Sequence, residues 1–288
     1  MLKLEQVQKR RNRFLLDNIS IELPEGYIMG LIGENGAGKT TLLQMLAGLL
    51  SADKGEIRLD SISLAENEAA VKQEIGAVLH DDMFDVRDTL LRNGNRYGRF
   101  YRRYEESSLK ERMAEFGLDG RKKYGRLSKG EKLKFAMAFA LSHKPKLLLL
   151  DEPAANFDKE FRTLFVKVLR DYVADGENTV ILSTHLTSDI DMLADYLLFL
   201  KGGRQLLYGD IESVRAHYRI AAGEEYKLKL LKDRIIHMET GEFVSRALVY
   251  NSGKPFDSAL KVWEPSIEEL MYFMEKCPER AQEKGERL

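Results

Sequence analysis

The chain has 288 residues, 44% of them hydrophobic, which is enough to bury the core of one large domain or of one large and one small domain. Its 45 lysines and arginines are balanced by 46 acidic residues, so the bulk charge favours neither nucleic acid nor an anionic membrane face as a partner. The single cysteine, Cys277, excludes an internal disulfide and a cysteine-built metal site, which suits a reducing cytosol.

The N-terminal segment lacks the long apolar core of a signal peptide. The longest apolar runs, such as residues 147–150, are far too short to span a bilayer. We therefore expect a soluble protein whose membrane role, if it has one, comes through a partner.

The first sixty residues alternate short apolar strands with turns, as in "NISIEL" and "EIRLD". Within them, "YIMGLIG" predicts a short buried strand, and "TTLLQMLAGL" repeats apolar residues at helical spacing. The loop between them has the frame Gly33-x-x-x-x-Gly38-Lys39-Thr40, which is the phosphate-loop pattern. A glycine-rich turn that only caps a helix is the alternative, and the flanking strand and helix favour the phosphate site.

This pattern suits an anion because glycines let the backbone come close to it, while free N–H groups at the helix start point at the charge. Lys39 would reach the outer phosphates, and the hydroxyl of Thr40 would ligate the Mg²⁺ that bridges them. The predicted nucleotide-binding residues of the loop are Gly33, Glu34, Asn35, Gly36, Ala37, Gly38, Lys39, Thr40 and Thr41. GTPases, kinases, helicases and transport ATPases all share this loop, so it does not identify the family.

From about residue 86 to 143 the pattern is helical and strongly charged, and it predicts an inserted helical region. "KLLLLDEP" then predicts a buried strand that ends in Asp151 and Glu152, before a helix at about 159–174 and the strand "NTVILSTH". Two carboxylates at the end of a buried strand are the expected partners of a phosphate loop. Asp151 would hold the Mg²⁺ and Glu152 would polarise an attacking water, although a polar surface turn is the alternative.

Beyond about residue 215, segments such as "EYKLKLL", "RIIHMET" and "EFVSRALVY" predict a small α+β appendage. The predicted fold class is therefore α/β, a P-loop NTPase core over residues 1–215 with a helical subdomain at about 86–143. Residues 216–288 form the predicted accessory subdomain, and its charged end is expected to fray.

Three further motifs make residues 1–215 resemble the ATP-binding-cassette (ABC) ATPases. "LSKGE" at residues 127–131 stands where that family carries its signature, usually written LSGGQ. Asp158, in "ANFD", matches the aspartate of the loop that follows the catalytic glutamate, and His185, in "STH", matches the switch histidine. With the phosphate loop and the paired carboxylates, five motifs occur in the family order.

The resemblance implies a dimer, because in this family two cassettes sandwich two ATP molecules head to tail. A second ABC ATPase subunit, identical or different, is therefore an expected partner. Ser128 and the backbone of Gly130 would donate to the γ-phosphate across that interface, and Asp158 would lie at the nucleotide. Glu152 and His185 would be the catalytic residues, with ATP and Mg²⁺ as cofactors.

The signature and the metal site depart from the family pattern. "IGAVLHDD" places His80 where the family usually has a glutamine near Mg²⁺, so we expect His80 beside the metal, where its ring can still hydrogen-bond. Lys129 and Glu131 replace a glycine and the glutamine of the signature. Ser128 and the second glycine remain, so binding to the other cassette's nucleotide is still expected.

Two basic segments are open to more than one interpretation. The family stacks adenine on an aromatic ring, and the matching position here falls near Arg10 or Arg11, with Phe14 as the alternative and a solvated basic turn as a further one. "NRYGRFYRRY" at residues 95–104 is compatible with a nucleic-acid surface. We favour the family's use of this region, which is to grip a membrane subunit, and this is consistent with an amphipathic helix.

The resemblance therefore implies the ATPase subunit of an ABC transporter, cytoplasmic and peripheral on the membrane through separate membrane-spanning subunits. "WEPSIEELMYFMEK" resembles the "SLEDIF"-like ending of bacterial exporter ATPases and favours export. The alternative is a soluble ABC-type ATPase that acts on ribosomes or DNA. Such proteins carry two cassettes or long coiled coils, which this sequence lacks, so no nucleic-acid partner is expected. A cassette that only binds nucleotide would be expected to lack Glu152 or His185.

Overall fold

A ten-stranded sheet forms the centre of the computed structural model, which describes residues 1–79, 83–153 and 157–278. Its strands are β1 (Leu2–Arg11), β2 (Phe14–Leu23), β3 (Ile28–Ile32), β4 (Lys54–Leu59), β5 (Ile62–Ser63), β6 (Ile75–Val78), β7 (Leu147–Asp151), β8 (Thr179–Ser183), β9 (Tyr196–Lys201) and β10 (Arg204–Asp210). They lie in the order β5-β4-β1-β2-β10-β9-β3-β8-β7-β6.

The sheet has a parallel part and an antiparallel part. Strands β9, β3, β8, β7 and β6 run parallel, whereas β2, β1, β4 and β5 pair antiparallel, and β10 lies between the two parts. Every residue of β3, β7 and β8 is buried, which explains why their sequences are nearly continuous apolar runs. Because these three strands are parallel neighbours, their carboxyl ends meet at one edge, and the predicted site residues follow them there.

The described residues contain ten α-helices. They are α1 (Lys39–Leu46), α2 (Glu68–Gln73), α3 (Leu90–Gly98), α4 (Glu106–Glu115), α5 (Lys129–Ser142), α6 (Lys159–Val173), α7 (Thr187–Leu193), α8 (Ile211–His217), α9 (Glu225–Lys229) and α10 (Ile267–Lys276). Helices α3, α4 and α5 make up the inserted helical region. None of the helices in the described residues combines the length and the apolar character needed to cross a lipid bilayer.

Strand β7 illustrates how the sequence separates two apolar cores. Leu148 and Leu150 belong to the core that contains residues of α4, α5 and α6, while Leu147 and Leu149 belong to the core that contains α1 and the antiparallel strands. Successive side chains of a strand point to opposite faces, so four consecutive leucines supply both cores. The buried strand is thereby held from both sides where it delivers its two carboxylates.

The C-terminal part forms a second, antiparallel sheet. Its strands are β11 (Tyr218–Gly223), β12 (Ile235–Glu239), β13 (Ser245–Tyr250) and β14 (Lys261–Trp263), in the order β12-β13-β11-β14. Helix α10 packs on β12 and β13 and also on α7. The predicted fold class is confirmed, including the inserted helices and the α+β appendage. The domain boundary near residue 215 stays a prediction.

Candidate active site

The loop between β3 and α1 has backbone angles and close contacts that favour glycine. Gly33 has φ +150°, and a Cβ atom there would lie 2.2 Å from the carbonyl oxygen of Leu200. Gly38 has φ +111°, and its Cβ would lie 2.9 Å from Cζ of Phe14. Residues with a side chain rarely adopt such angles, and here they would also clash. The two framing glycines of the motif are therefore required by the fold of the loop itself.

Lys39 is held at the mouth of this loop. It is only 6% exposed, and its Nζ donates to the carbonyl oxygens of Gly33 at 2.7 Å and Glu34 at 3.3 Å. Nζ also lies 3.8 Å from Oε1 of Glu152. A cleft of about 400 Å³ opens beside it, lined by Arg11, Phe14, Asn35, Gly36, Gly38, Lys39, Thr40, Thr41, Asp151 and Glu152.

Thr40 and Asp151 fit the demands of a bound Mg²⁺. Oγ1 of Thr40 donates to Oδ2 of Asp151 at 2.8 Å. Two neighbouring oxygens of an octahedral Mg²⁺ lie about 2.9 Å apart when each is about 2.05 Å from the metal. The described residues contain no cluster of three or more His, Cys, Asp or Glu that could hold a metal alone. Mg²⁺ is usually held by one or two protein oxygens together with substrate phosphates, and Thr40 and Asp151 offer two such oxygens.

Glu152 adopts a backbone conformation that is unusual for its residue type. Its φ is +48°, in the left-handed region, which costs on the order of 1–3 kcal/mol for a residue with a side chain. Its N–H donates to Ser183, both to the carbonyl oxygen at 3.2 Å and to Oγ at 3.0 Å. Its Oε2 lies 2.6 Å from Nδ1 of His185. The carboxylate is therefore held between Lys39 on one side and His185 on the other.

The short segment that carries His185 is fixed by a buried carboxylate. Asp189, in the first turn of α7, is 3% exposed, and it accepts a hydrogen bond from Oγ1 of Thr184 at 3.2 Å. Thr184 in turn accepts from the N–H of Leu186 at 3.0 Å. Arg162 of α6 completes the charge balance through an ion pair with Asp189. These contacts hold the backbone on both sides of His185.

The signature segment, residues 127–131, forms the start of α5. Ser128 caps this helix, because its Oγ accepts from the N–H of Glu131 at 3.2 Å while its own N–H donates to Oε2 of Glu131 at 2.8 Å. Lys122 binds Glu131 at 2.7 Å, and this contact, with the Ser128 N–H, holds the pKa of Glu131 below its usual range. Gly130 lies in the first turn of the same helix.

Asp158 caps the amino end of α6. Its Oδ1 accepts from the N–H of Phe161 at 2.7 Å, and Oδ2 lies 3.7 Å from Nζ of Lys134 on α5. The Phe161 N–H, reinforced by Lys134, lowers the pKa of Asp158. Asp158, Ser128 and Gly130 all lie outside the lining of the phosphate cleft of this chain.

Of the candidates for stacking on adenine, Arg11 and Phe14 line the cleft. Nη1 of Arg11 donates to Oε1 of Gln44 at 3.1 Å, whereas the N–H of Arg10 donates to Oδ2 of Asp53 at 2.7 Å, away from the cleft lining. His80, the expected neighbour of the metal, lies outside the described residues.

The aromatic and basic segment at residues 95–104 is amphipathic. Tyr97, Tyr101 and Tyr104 pack against the core of the helical region, while Arg99 and Arg102 are exposed. The predicted amphipathic helix covers only residues 95–98, because α3 ends at Gly98, and Phe100 is an aromatic exception that is 63% exposed.

Two sets of contacts were missed at the sequence level. Ser128 and Glu131 match the S-x-x-E capping-box pattern, so that pairing was readable from the sequence. Ser183, Asp189 and Arg162 have no comparable local signal, because their partners lie on other elements or around a turn.

Comparison with known proteins agrees with this geometry. Residues 16–155 match the family described as "ABC transporter". The ABC transporter ATP-binding protein NatA of Bacillus subtilis is 31% identical over 204 residues, which cover 68% of this chain and 82% of NatA. The Nod factor export ATP-binding protein I of Rhizobium sp. (strain N33) is 34% identical over 205 residues, covering 69% of this chain and 66% of that protein.

Solved structures share the fold. The ATP-binding cassette MJ0796, solved as a dimer in a post-hydrolysis state with ADP and phosphate, has a TM-score of 0.64 and 24% identity, and the match covers 73% of this chain and 99% of the cassette. With the loop and the paired carboxylates in one cleft and His185 in contact with Glu152, these similarities establish that the chain belongs to the ATP-binding proteins of the ABC transporter family and is an ATPase.

Proposed function

We propose that the chain hydrolyses ATP as the separately encoded energy-coupling subunit of an ABC exporter, paired with a second cassette. The observation that carries this proposal is two sets of contacts beside the phosphate loop, one joining Lys39, Glu152 and His185 and the other joining Thr40 and Asp151. Apart from His80, the metal-binding and catalytic side chains predicted for one cassette lie within this cluster.

Phosphate binding is the first task of these residues. The loop supplies backbone N–H groups at the amino end of α1, where a helix favours negative charge. Lys39 would exchange its bonds to the Gly33 and Glu34 carbonyls for bonds to phosphate oxygens, which are better acceptors for an ammonium group. Thr40 and Asp151 would hold Mg²⁺, which neutralises phosphate charge when bound.

Water activation is the task of Glu152. An ionised carboxylate only accepts hydrogen bonds, so the 2.6 Å contact requires His185 to carry a proton on Nδ1. Nε2 of His185 is then left to face the γ-phosphate, and it donates there when the ring is protonated. Glu152 keeps further acceptor sites for the proton of an attacking water.

The signature segment would act on the nucleotide of the other cassette. In the capping box, Oγ of Ser128 already accepts a hydrogen bond, so its own O–H remains available to donate to a phosphate. The backbone of Gly130 lies in the first helical turn, where free N–H groups attract anions. Asp158 and the signature helix are linked through Lys134, so both would approach the same interface. The dimer solved for MJ0796 supports this arrangement.

We assign the adenine to the mouth of the cleft, between Arg11 and Phe14. Phe14 is the better platform, because its ring is already fixed against the position of Gly38, and Arg11 can cover the opposite face of the base.

Export through separate membrane-spanning subunits is the finer part of the proposal. It is supported by the C-terminal "SIEEL" segment, which begins α10 with a capping box between Ser266 and Glu269, and by the export function in the name of the Rhizobium relative. The exposed arginines of residues 95–104 offer a surface for the membrane subunit. The chain would then lie at the cytoplasmic face of the membrane through that partner.

The proposal is tested with tagged chain purified from detergent-solubilised membranes of its own cells. We expect membrane-spanning proteins to co-purify and, after reconstitution in lipid vesicles, to stimulate ATP hydrolysis by the wild type but not by Lys39→Ala. Recovery with ribosomes and without any membrane protein would contradict the transporter assignment and favour the soluble alternative.

A further inference from the structure

Ser183, the last residue of β8, lies between the two acidic residues of the site. It is completely buried, and its hydroxyl contacts both Asp151 and Glu152. We infer that Ser183 is a positioning residue for ATP hydrolysis, which fixes the carboxylate of Asp151 for the metal and the backbone of Glu152 for water activation. This inference rests on the roles proposed above for those two residues.

The contact with Asp151 fixes the plane of its carboxylate. Oγ of Ser183 donates to Oδ1 at 2.5 Å, while Thr40 donates to Oδ2 at 2.8 Å. A carboxylate bound through both oxygens cannot rotate about its last bond without breaking one of these hydrogen bonds. The free lone pairs of Oδ2 are thereby kept beside Thr40, where the metal would bind.

The contact with Glu152 holds a backbone conformation that the chain does not favour by itself. The Glu152 N–H is shared between the carbonyl oxygen and the hydroxyl oxygen of Ser183. Residues in the left-handed region persist where surrounding contacts over-determine them. Removing the hydroxyl leaves one acceptor of the two, so the Glu152 side chain would sample positions away from His185.

The two contacts form one chain of hydrogen bonds, from the Glu152 N–H through the Ser183 hydroxyl to Asp151 and back to Thr40. Each hydrogen bond in such a chain polarises the next, so loss of the central hydroxyl affects both ends. Groups that orient metal-binding residues typically contribute tenfold to hundredfold to metal affinity or activity. A buried serine that only satisfied its own hydrogen bonds would have no such effect.

Ser142 provides a matched control. It is equally buried, and its Oγ donates to the carbonyl oxygen of Phe139 at 2.7 Å at the end of α5. Ser142→Ala and Ser183→Ala therefore each remove one buried hydroxyl, but only Ser183 contacts the acidic pair.

The experiment compares Ser183→Ala, Ser183→Thr and Ser142→Ala in the full chain. We expect Ser183→Ala to lower kcat about tenfold or more, to change the KM for ATP by less than about threefold, and to raise the Mg²⁺ concentration for half-maximal rate. Affinity for Mn²⁺ in the presence of ADP, measured by electron paramagnetic resonance without turnover, should fall in parallel. Ser183→Thr, which keeps the hydroxyl, should lie nearer to the wild type.

Urea unfolding of the variants and the turnover of Glu152→Gln serve as controls for this experiment. Urea midpoints that fall equally in both alanine variants, with kcat and Mn²⁺ affinity lost only in Ser183→Ala, support the inference. Wild-type kcat and Mn²⁺ affinity in Ser183→Ala would overturn it, whether or not Ser183→Thr folds. Should Glu152→Gln also retain full turnover, the roles proposed for the acidic pair fail first, so the two failures are distinguishable.

Discussion

Replacing His143 with phenylalanine should remove one cause of acid unfolding. His143 follows the last residue of α5, and its ring stacks on Tyr101 with 3.8 Å between centroids and 17° between planes. It is 1% exposed, and its Nδ1 has no hydrogen-bond partner among the residues that the structure describes. Phenylalanine keeps a ring on Tyr101 but cannot take up a proton.

The size of the effect follows from the pKa of His143. Burial, helped by the positive charge of Arg103, lowers this pKa from 6.5 to about 4. The carboxyl end of α5 favours a cation by only about 0.3–1 kcal/mol, which is less than the effect of burial. Because the folded pKa lies below the unfolded one, the stabilisation is complete above about pH 6.5 and is lost as the pH falls toward about 4. The full shift corresponds to about 3 kcal/mol, of which about 2 kcal/mol is lost by about pH 5.

Urea unfolding at a series of pH values between about 8 and 5 measures this contribution. The wild type should lose about 2 kcal/mol more free energy of unfolding over this range than His143→Phe does. His143→Gln serves as a control, because it also lacks a titrating ring and should share the pH dependence of the phenylalanine variant even if its absolute stability differs. Parallel pH profiles for the wild type and both variants would refute the reasoning.

Three further outcomes are expected in the active site and the signature. Lys39→Ala should abolish ATP hydrolysis and weaken binding of a fluorescent ATP analogue, since the phosphates lose their main counter-charge, and unchanged turnover would remove the phosphate-loop assignment. Glu152→Gln should slow turnover by about 10²-fold or more and give a longer-lived dimer in size-exclusion chromatography with ATP, whereas a normal rate would place the catalytic role elsewhere. Glu131→Ala should lower the free energy of unfolding by about 1 kcal/mol, while Glu131→Gln keeps the capping box, so identical urea midpoints for the wild type and the alanine variant would count against that cap.

The parts of the site that the sequence predicted share one property, which is that each motif directly follows or begins a regular element. Lys39 starts α1 and Asp151 ends β7, so the phosphate-loop pattern and the apolar run before the carboxylates were enough to locate them, whereas Asp158, which caps α6, was identified through the resemblance to the family. The parallel order of β3, β8 and β7 then brings the phosphate loop and the two carboxylates to one edge of the sheet, whereas Asp158 lies outside the cleft. The roles of these residues in catalysis remain predictions that the variants test.

Contacts between distant segments could not be predicted in the same way. The pair of Arg162 and Asp189 joins two helices, and Ser183 reaches Asp151 across neighbouring strands, so neither leaves a periodic or local pattern. The order β12-β13-β11-β14 was also beyond reach, because strands of three to six residues carry little register information. The packing of α10 on α7 is a tertiary contact that neither segment's sequence specifies by itself.

At Glu152, the residue type that the backbone conformation favours differs from the residue type that the proposed function needs. A left-handed residue after a buried strand is a position where glycine would carry no steric cost, but glycine would bring no carboxylate. The role proposed for Glu152 needs an acceptor beside His185 and Lys39, and Glu152 contacts both. Contacts with Lys39, His185 and Ser183 therefore sustain a strain on the order of 1–3 kcal/mol, and Ser183 holds the backbone itself. The catalytic role proposed for Glu152 would explain why this strained backbone conformation is kept.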